Sequence, residues 1–174
     1  MADTAKFEAA SIASYYQAIN NGASAKPGAD ASMTDAMDKE YPSMSNEWRE
    51  GILAGTEALM NFIGHRPGTK DNSWKYAHYD GRTKSIPPSA TTDVLNYIWD
   101  KFNKDQKKIF AGKKDSWDTA DVYIVKKSAE SDIKKTADKL SESFKDLDPA
   151  IFVGTINRYM SSLLEDGIFI PISL

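Results

Sequence analysis

The segment at 120–126, Ala-Asp-Val-Tyr-Ile-Val-Lys, constrains the fold more than any other part of the chain. It is β-branched and aromatic and too short for a helix, which predicts a strand. A second apolar run at 168–174 supplies a candidate partner strand. Two helical patterns separate the runs, the second starting at the capping pair Asp148-Pro149. Strands joined by such a long connection can be neighbours in one sheet, and parallel strands require one, so this half is predicted to be α/β-like.

Apolar residues at helical spacing predict helices over most of the remaining chain. The predicted helices cover 3–20, 46–64 and 92–110, the stretch after a cap at Ser128, and the stretch after the cap at Asp148. Residues 22–45 show no clear period, so we expect a long loop with one helical turn near Met33–Met37. Trp74, Tyr76 and His78 alternate with other residues before Asp80-Gly81, which predicts a short strand ending in a turn.

Two glycines, Gly51 and Gly55, lie one turn apart on one face of the helix predicted over 46–64, where Ser45 or Asn46 can act as the cap. A glycine inside a helix costs about 1 kcal/mol relative to alanine. We therefore expect a close backbone neighbour on that face.

These elements predict a single domain, 1–174, of the α+β or α/β class. The domain is dominated by helices and contains a small sheet with strands near 120–126 and 168–174. Its half at 1–110 is predicted to be helical and its half at 111–174 to be α/β. A hydrophobic content of 41% over 174 residues is enough to build a core, so global disorder is not expected.

Composition excludes several classes of chemistry. The chain has no cysteine, which rules out disulfides, thiolate metal sites and a cysteine nucleophile. Its N-terminus lacks the pattern of a signal peptide, and no apolar run has the length of a membrane span, so a cytoplasmic protein with no membrane partner is predicted. Residues 101–139 hold 11 lysines against seven acids, whereas residues 30–57 hold seven acids against Lys39 and Arg49. This asymmetry is compatible with a polyanionic partner.

Carboxylate chemistry is what the sequence leaves open. Only His65 and His78 are present, in one irregular segment without metal-ligand spacing, and no phosphate-binding glycine loop occurs. Asp121 leads directly into the predicted strand, where a rigidly held carboxylate can bind a hard cation such as Mg²⁺. The alternative is an aspartate that caps a turn or pairs with a lysine. The lysine pairs are either solvated surface or phosphate contacts: Lys113, Lys114, Lys126, Lys127, Lys134 and Lys135.

The C-terminal third resembles the core of restriction-type nucleases of the PD-(D/E)XK class, and phage-encoded proteins of that kind. The matching residues are Trp117-x-x-Ala120-Asp121-Val122-Tyr123-Ile124-Val125, followed by two helices and Gly167-x-x-Ile170-x-Ile172-Ser173-Leu174. In that family an aspartate on one strand and an acidic-x-lysine element on the next hold Mg²⁺ and activate water. In divergent members the second element has the sequence Ile-Ser-hydrophobic-Lys.

The resemblance implies Mg²⁺-dependent phosphodiester hydrolysis on DNA, in a host cytoplasm or a virion. Asp121 would be the metal ligand, Ser173 would stand where the second acid usually stands, and an earlier glutamate would complete the catalytic set. Candidates for that glutamate are Glu57, Glu50 and Glu8. The lysine would follow Leu174, so the chain is expected to be a truncated or inactive version.

Two other functions fit the sequence. One is a non-enzymatic protein that binds another protein, such as a phage structural component or an inhibitor of a host enzyme. Its contact surfaces would be the segments 22–45 and 65–90, with Trp74, Tyr76 and Tyr79 as anchors unless they belong to the core. The other is a nucleic-acid binder without catalysis. The oligomeric state has no signature in the sequence.

Overall fold

The computed structural model describes residues 3–26, 28, 30–78, 97–98, 120–144, 146 and 148–174. Within these residues five α-helices accompany a three-stranded sheet, which confirms the predicted helix-dominated α+β class. The helices are α1 (Asp3–Asn20), α2 (Ala31–Glu40), α3 (Asn46–Phe62), α4 (Glu130–Phe144) and α5 (Pro149–Glu165). The strands are β1 (Trp74–His78), β2 (Val122–Lys126) and β3 (Phe169–Ile172). None of the helices in these ranges is long and apolar enough to cross a membrane.

The sheet has the order β1-β2-β3, and both pairs are antiparallel. The strands predicted near 120–126 and 168–174 are therefore neighbours, as expected, with Val122 opposite Ile172 and Val125 opposite Phe169. Their direction differs from the parallel arrangement that an α/β half would have. The connection contains two helices instead of one, and a second helix lets the chain return in the opposite direction.

The sheet is buried on both faces, because its side chains alternate between two hydrophobic clusters. All four residues from Val122 to Val125 are buried. The cluster on the side of α1, α2 and α3 takes Trp74, Tyr76, Val122, Ile124 and Ile170 from the sheet. The cluster on the side of α4 and α5 takes Tyr123, Val125 and Phe169, together with Ile98. The result is a sheet between two helical layers.

The helix ends follow the predicted capping chemistry in most places. The Ser45 hydroxyl accepts a hydrogen bond of 3.3 Å from the backbone N–H of Trp48, which confirms it as the cap of α3. Asp148 caps α5 by accepting a hydrogen bond of 2.8 Å from the N–H of Ala150. Gly167 ends the same helix with φ +61°, a conformation that other residues rarely adopt.

Three local predictions need correction or fall outside the described residues. The single turn expected near Met33–Met37 is a ten-residue helix, α2, because Asp30 caps it and both methionines are buried in the core. Ser128 is not a cap; it lies inside a 3₁₀ turn, Lys127–Ala129, that precedes α4. The helix predicted over 92–110 lies outside the described residues except at 97–98, which are helical.

Candidate functional site

Asp121 and Ser173 meet at one end of the β2–β3 pair. The backbone N–H of Asp121 donates a hydrogen bond of 3.0 Å to the carbonyl of Ile172, which places it at the end of the sheet. Its carboxylate Oδ2 accepts a hydrogen bond of 2.7 Å from the backbone N–H of Leu174 and lies 3.5 Å from the Ser173 hydroxyl. The structure thus brings together two of the predicted catalytic residues from opposite ends of the connection.

The glutamates proposed to complete the set are on α1 and α3. Glu50 and Glu57 are exposed on α3, and Glu8 is half-buried on α1. Glu57 follows Gly55 by two residues, which places it about 200° around the helix from the side that faces Tyr15. Within the described ranges, no group of three or more acidic or histidine side chains could hold a metal ion.

The residues at the end of the β2–β3 pair fit only one kind of magnesium site. They offer one carboxylate, on Asp121, and one hydroxyl, on Ser173. Magnesium is often bound by one or two carboxylates together with water and the phosphates of the substrate, rather than by a cage of protein ligands. Asp121 and Ser173 are therefore compatible with a cation held jointly with a phosphate.

A buried tyrosine lies close to Asp121, and sequence patterns identified it only as part of an apolar helix face. Tyr15, on α1, is 1% exposed. Burial, and next the negative charge of Asp121, raise the pKa of the Tyr15 hydroxyl well above its ordinary value of 10.0. The hydroxyl therefore stays protonated to a higher pH than that of an exposed tyrosine.

An apolar groove of about 730 Å³ lies beside these residues, between α1, α3 and the C-terminal end of the chain. Its walls include Tyr15, Gly51 and Gly55 on one side and Leu164 and Leu174 on the other. The expectation of a close backbone neighbour at the two glycines is wrong. A Cβ at Gly51 would meet nothing within 4 Å, and one at Gly55 would meet only the Tyr15 hydroxyl at 4.0 Å. The glycines instead form an open wall of the groove.

Four of the predicted lysines lie at the opposite end of β2 and on α4, which follows it in the chain. Lys126 is five residues from Asp121, a distance of about 17 Å along an extended strand. Its ammonium lies 5.5 Å from the centre of the Trp74 ring. Lys127 adjoins it, and its backbone N–H donates a hydrogen bond of 2.8 Å to the carbonyl of Ser73. Lys126 and Lys127 are therefore separate from the Asp121 carboxylate.

The remaining members of this lysine cluster contact acidic and aromatic side chains. Lys134 lies 3.1 Å from Glu130 and 5.6 Å from the centre of the Tyr97 ring. Lys135 is exposed and lies 3.5 Å from Asp132. Lys75 of β1, which sequence analysis did not select, forms an ion pair with the same Glu130. Lys113 and Lys114 lie outside the described residues.

Two of the aromatic residues considered as interface anchors belong to the core. Trp74 is 6% exposed and Tyr76 is fully buried. The Tyr76 hydroxyl donates a hydrogen bond to the side-chain carbonyl of Asn20, which satisfies it inside the core. Tyr79 lies outside the described residues. His65 is half-buried on the loop after α3, away from any set of metal ligands in the described part of the chain.

Comparisons with protein-family models, with curated proteins and with solved structures found no match for this chain.

Proposed function

We propose that this chain is a nuclease-like DNA-processing domain, in which Asp121 and a DNA phosphate together hold Mg²⁺ for phosphodiester hydrolysis. The observation that carries the proposal is the contact between Asp121 and Ser173. These residues are 52 positions apart in the chain, yet they adjoin at the end of two neighbouring strands. The resemblance to the nuclease motif implies that its aspartate and its second element lie on neighbouring strands, so this contact supports the proposal.

The Asp121 carboxylate is held in a fixed orientation before any cation binds. The backbone of Asp121 is tied to β3 through Ile172, and its Oδ2 atom is tied to the N–H of Leu174. Such preorganisation favours a metal ligand, because no side-chain freedom is lost when the cation arrives. Magnesium, when bound, would polarise the phosphate and lower the pKa of a water molecule.

The lysine cluster is a second candidate contact with DNA. Lys126 and Lys127 lie at the opposite end of β2 from Asp121, about 17 Å along the strand. Because helices cover both faces of the sheet between them, DNA that contacts these lysines would do so apart from the Asp121 site. Lys134, Lys135 and Lys75 would extend the contact at the lysines.

The test measures binding and cleavage together. A fluorescent duplex of roughly 20 base pairs is titrated with the chain, with and without Mg²⁺, and supercoiled plasmid is incubated under the same conditions. We expect Mg²⁺ to strengthen duplex binding by about tenfold and Asp121→Asn to abolish that gain, because the amide cannot replace a carboxylate at Mg²⁺. Plasmid nicking that depends on Asp121 would be the stronger form of the same result.

Two control variants separate the parts of the proposal. Glu47→Gln removes an exposed carboxylate of α3 that is not a candidate for the site, and it should leave the effect of Mg²⁺ unchanged. The pair Lys126→Gln and Lys127→Gln should weaken binding with or without Mg²⁺ and reduce the salt dependence, because two phosphate contacts are lost. The proposal would be refuted if the unmodified chain bound the duplex equally well with and without Mg²⁺ and did not nick the plasmid.

A further inference from the structure

None of the described residues fills the apolar groove beside α3, where several exposed hydrophobic side chains lie together. Phe62 is 67% exposed, Leu174 is 45% exposed and Leu164 is 39% exposed, and all three line the groove. In the described part of the chain, only Trp48 and Ile151 are comparably exposed among the large hydrophobic residues. Contiguous apolar surface of this kind is typical of a site where another molecule binds.

The adjacent sheet edge disfavours an extended strand as the bound molecule. The backbone groups of Ile168 and Ile172 bond to β2, so those of Phe169 and Pro171 point to the outer edge of β3. Proline has no N–H to donate, so a strand added at this edge would lose a hydrogen bond at Pro171.

The wall formed by α3 is suited instead to a second helix. Gly51, Gly55, Ala58 and Phe62 line the groove, and from Gly51 to Phe62 the helix rises about 16 Å, or three turns. Helix axes approach most closely where the side chains between them are small. No atom lies within 4 Å of a Cβ built at Gly51, so the space for that approach is open.

The charged residues around the groove determine which residues should flank the apolar face of such a helix. Among the described residues, no lysine, arginine, aspartate or glutamate lines the groove itself. Exposed acidic residues lie next to the lining residues on both sides: Glu47, one turn before Gly51 on α3, and Glu165 and Asp166, which follow Leu164 at the end of α5. Basic side chains beside an apolar face would complement this rim.

The floor of the groove adds one polar feature. The Tyr15 hydroxyl lines it, and no hydrogen bond joins that hydroxyl to another described residue. It can therefore donate a hydrogen bond to an acceptor on a molecule that is bound in the groove.

We propose that this groove binds an amphipathic helix of another protein, with an apolar face along α3, lysine or arginine on its flanks, and one hydrogen-bond acceptor opposite Tyr15. This inference is independent of the proposed nuclease function, since the lining residues carry no positive charge to attract DNA.

The test uses synthetic helical peptides as probes. One peptide of about 14 residues carries leucine and alanine on one face, a central glutamine on that face, and lysine on the flanks; a second replaces every lysine with glutamate. Binding is measured by fluorescence anisotropy of the labelled peptides. We expect the lysine peptide to bind at least about tenfold more tightly than the glutamate peptide, because the rim is acidic.

Three variants show whether the groove is the site. Gly51→Leu fills the groove and should abolish binding of the lysine peptide, with the net charge unchanged. Gly154→Leu makes the same substitution on an exposed face of α5, where nothing lies within 4 Å of a Cβ, and should bind as the unmodified chain does. Tyr15→Phe should weaken binding of the peptide with the central glutamine, but not binding of a peptide with leucine at that position.

Thermal unfolding of each variant checks that the fold is retained. Equal binding of the lysine and glutamate peptides, or full binding by Gly51→Leu, would overturn the proposal. So would a dimer in sedimentation that Gly51→Leu dissociates, because the groove would then hold a second copy of this chain.

Discussion

The backbone N–H of Leu174 donates a hydrogen bond of 2.7 Å to the Oδ2 atom of Asp121, across the end of the β2–β3 pair. One carboxylate therefore closes the sheet at the same place where the proposed function needs a cation. Measurements of stability and of cation dependence can separate these two roles, because they respond differently to replacement by asparagine.

Asp121→Ala is expected to lower the free energy of unfolding by about 1–2 kcal/mol, the range for a partly exposed hydrogen bond to a charged group. Asp121→Asn should cost less, because its side-chain carbonyl can still accept the hydrogen bond from Leu174. Urea unfolding followed by circular dichroism measures both. Glu57→Ala, at an exposed position of α3, is the control and should change stability little. Equal stability of Asp121→Ala and the unmodified chain would contradict the role in closing the sheet.

Gly51→Ala is expected to stabilise the chain by about 0.5–1 kcal/mol, because it removes a glycine from a helix interior where a methyl group has free space. Gly22→Ala is the matched opposite. Gly22 has φ +72°, and its added Cβ would lie 2.9 Å from the carbonyl oxygen of Thr69. That variant should lose about 1 kcal/mol or more. Midpoints of urea unfolding with unchanged slopes give both values, and a destabilised Gly51→Ala would show that the groove wall is not open.

The buried hydroxyls of Ser14 and Thr56 hold α1 against α3, and their effects should not be additive. Ser14 Oγ and Thr56 Oγ1 lie 2.7 Å apart, Thr56 Oγ1 lies 2.8 Å from the carbonyl oxygen of Ile52, and Ser14 Oγ lies 3.2 Å from Met33 Sδ. Thr56→Val should cost about 1–3 kcal/mol, because it leaves the Ser14 hydroxyl without this partner. Adding Ser14→Ala should recover part of that loss. A double-mutant cycle measures the coupling, and additive single losses would contradict it.

Glu130 should make stability depend on pH in the acid range. Burial opposes its charge, but the hydrogen bonds and charges of Lys75 and Lys134 outweigh burial, so the pKa of the Glu130 carboxyl lies below its ordinary value of 4.5. A lowered folded-state pKa contributes stability above pH 4.5 that is lost as the pH falls through the folded value. Glu130→Gln should therefore cost about 0.5–1 kcal/mol near pH 7, and the difference should shrink on acidification.

The same unfolding series with Asp132→Asn provides a control for Glu130. Asp132 and Lys135 are exposed and lie 3.5 Å apart, so their ion pair is screened by solvent. Asp132→Asn should therefore lower the free energy of unfolding by less than Glu130→Gln does at neutral pH. A cost for Glu130→Gln that stays constant from neutral to acid pH would show that packing, rather than charge, accounts for the effect.

Local chemistry made most elements predictable from the sequence. Ser45 and Asp148 occur at helix starts because their side chains can accept from the first free N–H groups, and that property is visible in the residue type. The β-branched run at 122–125 has no comparable helical alternative. The extent of α2 was missed because its stability comes from burying Met33 and Met37 against other elements, which a pattern rich in Asp, Ser and Thr conceals.

The candidate site was predictable only in part, since its geometry depends on contacts between distant segments. The meeting of Asp121 with Ser173 could be expected from the motif, whereas its link to Leu174 could not. Tyr15 carries no signal that separates it from other apolar-face residues of α1. The cost of Gly51 and Gly55 inside a helix is visible in the sequence. The open space beside that helix is not, because no residue type indicates it.

The central position of β2 also determines how the chain can fold. Its nearest paired positions, His78 with Val122 and Val125 with Phe169, are each 44 residues apart. None of the described strands forms a hairpin with its neighbour, so long loops must close before the hydrogen bonds between these strands form. Helices such as α1 and α3 can form from local contacts, whereas β2 pairs with β1 or β3 only after such a loop has closed. Before it pairs, the Val-Tyr-Ile-Val segment at 122–125 is exposed in the unfolded chain, and aggregation through this segment then competes with refolding.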